Sequence, residues 1–200
     1  MTQIRATFVS PHEIKSGPKL AQLTYLRACI DETMRMTPPV GGALGREVLD
    51  GGAVIDGTFV KGGCDVGVAL YCIHHSEEIF PDPFSYRPER WLEGHTTAAQ
   101  IALQKRAFNP FSLGARKCIA QSLAYTELSL AVAATVWLFD LKRPDGALDH
   151  VGGGIVGDTR GRDNLHEFQL YEHLTSIHDG PYLQFRYRQD LQDEPKPLAG

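Results

Sequence analysis

The run Phe111-Ser112-Leu113-Gly114-Ala115-Arg116-Lys117-Cys118-Ile119-Ala120 sets a cysteine between an irregular loop and a long stretch, Cys118 to Leu138, without proline or glycine. Helix-forming residues dominate that stretch, which predicts a helix over 118–138. Its second half is apolar on nearly every face and predicts burial. A sulfur at a helix start lies near unpaired backbone N–H groups and the positive end of the helix dipole. Arg116 and Lys117 stand beside it, and all of these favour thiolate over thiol. Such a thiolate can be a nucleophile, a redox sulfur or a metal ligand. The alternative is a helix-start cysteine with no chemical role, because unpaired cysteine is among the most buried residue types.

Working outward, residues 74–117 are broken by Pro81, Pro83, Pro88 and Pro110 and read as irregular chain, with a short helix over 97–106. So long an irregular stretch inside a compact domain points to function. Residues 40–73 read as a small sheet: Val54-Ile55 and Thr58-Phe59-Val60 flank Asp56-Gly57, a hairpin signal. The alternation of Val66, Val68 and Leu70 predicts a further strand. Leu23, Leu26, Ile30 and Met34 recur at helical spacing, which predicts a helix over 19–36 ended by Pro38-Pro39. Residues 1–17 are mixed and polar and close on the Ser16-Gly17-Pro18 turn. Downstream, 140–190 is Gly- and Asp-rich until Glu167. It then carries two strand-like runs, Phe168–Tyr171 and Leu183–Tyr187, around a turn at Asp179-Gly180-Pro181, as in a C-terminal hairpin. Residues 191–200 read as a disordered tail. The sum is a mainly α fold with small β-sheets, α+β in class, forming a single domain over 1–200.

Composition narrows the function classes. A formal charge of −4 and a pI near 6.0 give no electrostatic footprint for nucleic acid or an anionic membrane surface. The longest apolar run, Leu128 to Leu138, is too short to span a bilayer, and Met1 to Lys15 lacks a signal-peptide core. The four cysteines are sparse and irregularly spaced, which points away from a disulfide framework and towards a reducing compartment. Cys64, Cys72, His74 and His75 lack the paired short-range ligands of a zinc site. The two cysteines read instead as strand-core residues, and the two histidines as surface or turn residues. Gly152 to Gly157 formally satisfies G-x-G-x-x-G, but turn chemistry follows where a dinucleotide site needs a helix, so it reads as a flexible loop.

The cysteine run resembles the haem-binding loop of the cytochrome P-450 family, F-x-x-G-x-R-x-C-x-G, at Phe111, Gly114, Arg116 and Cys118. It departs at Ala120, where alanine replaces glycine and still permits close approach. Glu32-Thr33-Met34-Arg35 resembles the family's E-x-x-R. Pro88-Glu89-Arg90-Trp91 resembles its P-E-R-F, whose arginine completes a Glu–Arg–Arg network. Taken alone, Glu32 and Arg35 would be a solvated surface pair on the face away from the apolar stripe. The resemblance makes Glu32, Arg35 and Arg90 a structural triad. It makes Cys118 the axial thiolate of haem b, which pushes electron density to iron. It sets Phe111 against the proximal side, pairs Arg116 and Arg46 with the haem propionates, and lets Gly114 and Ala120 approach the macrocycle closely. His74 resembles the histidine that precedes the irregular region in the family.

The tail, from Phe168 through Gly180-Pro181-Tyr182 to Arg186, resembles the C-terminal hairpin of fungal microsomal members, particularly the benzoate para-hydroxylase-like group. In that comparison Val40, Ala43 and Leu44, with Leu174 and Thr175, would face substrate. The implied activity is insertion of one oxygen atom from O₂ into an organic substrate, in fungal secondary or xenobiotic metabolism. Two electrons would come from NADPH through a cytochrome reductase, at the cytoplasmic side of the endoplasmic reticulum. Lys105, Arg106 and Lys117 are candidates for docking an acidic reductase, while Glu77, Glu78 and Asp82 read as a solvated face. The resemblance covers a C-terminal part of the family fold, without the N-terminal half, the membrane anchor, the W-x-x-x-R helix or the long distal helix with its acid–threonine pair. A truncated, non-catalytic remnant with weak or no haem binding is the rival expectation. A redox-regulatory thiol protein would leave the triad pattern unexplained.

Overall fold

The computed structural model describes residues 1–172 and 175–191. The first seventeen residues are not merely polar chain. Helix α1 (Thr2–Thr7) and a 3₁₀ turn (Pro11–Glu13) form there, because Ile4 and Phe8, one helical turn apart, both enter the core. The helix expected over 19–36 is broken in two, α2 (Pro18–Ala21) and α3 (Thr24–Met36). The break falls at Leu23, whose ψ of 71° leaves the helical path. Its side chain stays in the core, so the apolar stripe continues across the break.

Helix α3 is buried on two faces. Leu26, Ile30 and Met34 join Ile4, Phe8, Leu20, Leu23, Ala133 and Trp137 in one cluster. Ala28 faces the other way, against Phe80 and Trp91. The Asp56-Gly57 hairpin forms as read: β2 (Ala53–Ile55) pairs antiparallel with β3 (Thr58–Val60). Asp56 and Gly57 adopt φ of 47° and 75°, the left-handed pair a type I′ turn demands. The rest of 40–73 is not one sheet. A separate two-stranded piece joins β1 (Arg46–Glu47) to β4 (Asp65–Val66). Val68 and Leu70 do not extend it, because α4 (Leu70–His74) begins there. Cys64 and Cys72 are exposed and free, not strand-core residues: Cys64 precedes β4, and Cys72 lies on α4.

Helix α5 (Ala98–Ala107) opens on a Thr97 side chain that accepts from the Gln100 amide, the capping expected of threonine. Helix α6 (Gln121–Leu138) starts three residues later than the sequence suggests. It is also less buried than its composition predicts. Ala133 and Trp137 are buried, while Leu123 and Leu128 are exposed, because α1 and α3 pack along one side of the helix only. Arg5 on α1 closes its C-terminal end, donating to the Val136 and Phe139 carbonyls and to Asp140.

The two tail runs do not pair with each other. Strand β5 (Phe139–Lys142), directly after α6, pairs with β8 (Gln184–Tyr187), and β6 (Tyr171–Glu172) pairs with β7 (Ser176–Ile177). The glycine-rich segment between them is close-packed, not a free loop. A Cβ at Gly154 would lie 2.1 Å from the Asn164 carbonyl oxygen, and one at Gly152 would lie 1.9 Å from that of Asp179. These glycines serve backbone approach, not phosphate binding. Leu174 and residues 192–200 lie outside the described residues. Among the described residues, no helix is long and apolar enough to cross a membrane.

Candidate haem-thiolate site

Glu32 is fully buried and stands at the centre of a polar network. Its Oε1 accepts from Arg35 Nη2, Arg90 Nε and the Arg87 backbone N–H, each at 3.0 Å. Its Oε2 accepts from Arg35 Nε and Trp91 Nε1, also at 3.0 Å. The Glu32–Arg35 pair is therefore bidentate, the strong geometry for a guanidinium on a carboxylate. The two arginines spend their remaining N–H groups on backbone carbonyls. Arg35 reaches His74 at 2.8 Å and Pro83 at 2.7 Å. Arg90 reaches Pro81 at 3.0 Å, then Asp82 and Ser85 at 3.3 Å. Burial pushes the Arg90 guanidinium below its ordinary value, and the Glu32 carboxylate opposes that shift.

Glu32 and Arg35 are therefore not the solvated surface pair they would form in isolation: both are at 0 % exposure. Five carbonyls between His74 and Ser85 converge on two side chains, so a chain without regular structure is held by side-chain donors in place of a ladder. Sequence reading found the three charged members but missed Trp91 and the Arg87 amide. The signal for Trp91 was available, because a buried indole N–H needs an acceptor. Replacing Trp91 by Phe removes one of five bonds to a buried carboxylate and is expected to cost about 2 kcal/mol. That loss would appear as a lower urea midpoint at unchanged slope.

His74 is also corrected: it is fully buried, not a surface histidine. Its ring lies against Phe108 at 5.3 Å and edge-on to Phe80 at 6.3 Å. Burial lowers its pKa to about 4, with the charges of His75 and Arg35 adding to the effect. His75 is not at the surface either. Its ring stacks on Tyr71 at 4.0 Å, near the half-buried Glu167, which accepts from the Tyr71 hydroxyl at 2.8 Å. Glu77 and Glu78 are exposed, and Asp82 pairs with Arg87 at 2.9 Å on the surface.

The cysteine loop follows from that scaffold. Its residue Phe111 packs on Tyr125 of α6 at 5.2 Å, and the Phe111 carbonyl accepts from the Cys118 amide at 2.8 Å, closing the loop. Between them Gly114 holds a φ of 73°, and a Cβ there would meet nothing within 4 Å. Lys117 N–H returns to the Gly114 carbonyl at 3.2 Å. Cys118 is exposed and free. It precedes α6 instead of opening it, and Ala120 takes the N-cap position. Leu113, at 66 % exposure, and Ile119, fully exposed, flank the cysteine with apolar surface.

Among the described residues the Arg46 side chain donates only to the Leu44 and Gly45 carbonyls, and Arg116 makes no hydrogen bond or ion pair. A cavity of about 330 Å³ brings Arg46, Leu44, Val66, Val68 and Leu70 together with Ser112 of the cysteine loop. Val40 and Leu44 are half-buried, while Ala43 and Thr175 are exposed. The Ser176 amide donates to the Pro39 carbonyl at 2.7 Å, so the segment after α3 and the tail turn lie side by side.

These residues suit haem. An accessible soft donor in Cys118, apolar surface on either side of it, and two guanidinium groups without acid partners among the described residues match an iron centre in an apolar macrocycle bearing two carboxylates. No group of three or more His, Cys, Asp or Glu side chains that could hold a bare metal ion occurs among the described residues.

The family model for Cytochrome P450 matches residues 7–151. A cytochrome P450 monooxygenase of Gibberella zeae is 40 % identical over 188 residues, covering 94 % of this chain and 42 % of its own length. The apf8 cytochrome P450 monooxygenase of Gibberella fujikuroi is 43 % identical over 190 residues, covering 93 % of this chain and 50 % of its own length. The chain thus spans half or less of these curated relatives. Among solved structures, a crystal structure of a cytochrome P450 (CYP102L1) matches with a TM-score of 0.66 at 24 % identity, covering 94 % of this chain and 37 % of that one; this likeness bears on the fold. With the clamp, the cysteine loop and a family match over residues 7–151, the chain belongs to the cytochrome P450 family.

Proposed function

We propose that this chain is the haem-ligating, C-terminal part of a haem-thiolate monooxygenase that inserts one oxygen atom from O₂ into an organic substrate of fungal secondary metabolism. The observation that carries this reading is a free, exposed Cys118 at the end of a closed loop, flanked by apolar surface and by arginines without acid partners. Haem b, when bound, supplies the oxygen-activating chemistry.

The chain's own residues do the rest. Cys118 would supply the sulfur that ligates the haem iron. Arg46 and Arg116 would hold the two propionates by charge-assisted hydrogen bonds. Phe111, seated on Tyr125, fixes the loop's path. Gly114 and Ala120 keep side-chain bulk away from the macrocycle. Val40, Ala43, Leu44 and Thr175 form part of the substrate wall, and the bond from Ser176 to Pro39 supports that placement.

Electrons come from an NADPH-dependent reductase at the cytoplasmic face of the endoplasmic reticulum. The exposed cations Lys105, Arg106 and Lys117 dock its acidic surface. Lys105→Glu with Arg106→Glu is expected to weaken reductase binding at low salt by about tenfold, with the difference fading as salt rises. Equal affinity at low salt would remove these two residues from the docking face.

Titration of the chain with haem tests the reading. The expected result is saturation at one haem per chain in the parent and much weaker binding in Cys118→Ala. Equal binding by both, or none by a soluble folded parent, would favour a non-catalytic remnant.

A further inference from the structure

We infer that His74 is a positioning residue that couples the Glu32–Arg35–Arg90 clamp to the cysteine loop; this rests on the reading of that loop as the haem-ligating segment. Two bonds from one residue carry the inference. The His74 carbonyl accepts from Arg35 Nη1 at 2.8 Å. The His74 ring accepts, at Nε2, the backbone N–H of Asn109 at 3.4 Å. Asn109 stands immediately before Pro110 and Phe111, where the cysteine loop begins. One residue therefore touches the clamp with its backbone and the loop entrance with its side chain.

The ring's protonation follows from this geometry. An imidazole nitrogen that accepts a hydrogen bond carries no proton, so the proton of the neutral ring sits on Nδ1. Nδ1 is buried and has no partner among the described residues, an arrangement that costs stability. The cost is tied to one particular gain. The Asn109 amide lies just past α5, whose end is closed by Phe108 N–H to the Gln104 carbonyl at 2.8 Å. Among the described residues no backbone carbonyl takes the Asn109 amide, and Nε2 of His74 does.

The packing keeps the ring from turning away. Phe108 and Phe80 contact it on two sides, and Phe80 also packs on Trp91, itself a donor to Glu32. Disturbing the clamp thus shifts the ring, and the ring sets the direction in which the chain enters Pro110. The carbonyl contact alone would survive any side chain at position 74. The acceptor at Nε2 is what the histidine adds.

The test uses the chain without haem, so that it is independent of the haem titration above. Nitrogen-15 spectra of the parent should show the Nδ1–H tautomer at His74 and a scalar coupling between His74 Nε2 and the Asn109 amide nitrogen. An Nε2–H tautomer at neutral pH would overturn the inference, since that nitrogen could not then accept. Amide exchange supplies the second readout. In His74→Phe the Asn109 amide should exchange about tenfold faster, with the amides of residues 111–118 following. In His74→Gln, whose side-chain oxygen can accept in place of Nε2, protection should return towards the parent. Unchanged Asn109 exchange in a folded His74→Phe would also overturn it. Should that variant fail to fold, the tautomer and the coupling in the parent decide.

Discussion

Glu32→Ala is expected to destabilise the chain by about 3–5 kcal/mol and to abolish haem incorporation. The magnitude follows from what remains after the carboxylate is removed. Arg35 is fully buried and Arg90 is at 5 % exposure, so two guanidinium groups would stay in the interior with only carbonyl dipoles for company. The Trp91 indole N–H and the Arg87 amide would lose their acceptor as well. A loss of that size approaches the whole stability of an ordinary domain, about 5–15 kcal/mol. The segment 74–91 should open first, because no ladder of backbone bonds replaces the clamp. Urea unfolding and the haem-to-chain ratio after reconstitution check this together. A Glu32→Ala chain with a parental midpoint and a full complement of haem would mean that the clamp does not organise the loop.

Acid should cost the chain about 3 kcal/mol between pH 6.5 and 4 on account of His74 alone. The folded chain holds this histidine neutral down to about pH 4, whereas its unperturbed value is 6.5. Between those values the unfolded chain binds the extra proton, so stability falls as pH falls and levels off below about 4. His75, also lowered by burial, acts in the same direction. Glu167 acts in the opposite one: burial raises its pKa, so its contribution is lost as pH rises through that value. Urea midpoints measured from pH 7 to 4 in the parent and in His74→Gln separate these contributions. The parent should lose stability steeply over that range. The variant, lacking the buried imidazole, should lose much less. Parallel curves would show that His74 does not carry the acid loss.

What could be read in the sequence was local. The Asp56-Gly57 turn is a two-residue signal that needs no partner from elsewhere. The charged members of the clamp were visible as Glu32-Thr33-Met34-Arg35 and as Arg90 in a proline-led tetrapeptide. What escaped was set by long-range packing. The same Glu–Arg spacing describes a wet surface pair or a buried hub, and only the approach of residues 74–91 decides between them. His74 was unreadable for the same reason, since its acceptor role depends on an amide thirty-five residues away.

Strand partners failed similarly. Leu183–Tyr187 looks like half of a tail hairpin, yet β8 pairs with β5 across more than forty residues, and period-two alternation says nothing about the partner's identity. The composition of α6 predicts burial on every side. Leu123 and Leu128 are nonetheless exposed, because burial depends on what packs on a helix as much as on what the helix carries. Cys118 was legible as chemistry before it was legible as geometry: its neighbours in sequence named the loop, and the fold then placed it just ahead of α6.

The measurement that tests the central claim most directly is the difference spectrum of the reduced, carbon monoxide-bound chain after haem reconstitution, with Cys118→Ala alongside. Thiolate ligation by Cys118 predicts a strongly red-shifted Soret band in the parent that vanishes in the variant. A band at the position typical of histidine-ligated haem, or a red-shifted band that persists in Cys118→Ala, would contradict Cys118 as the axial ligand.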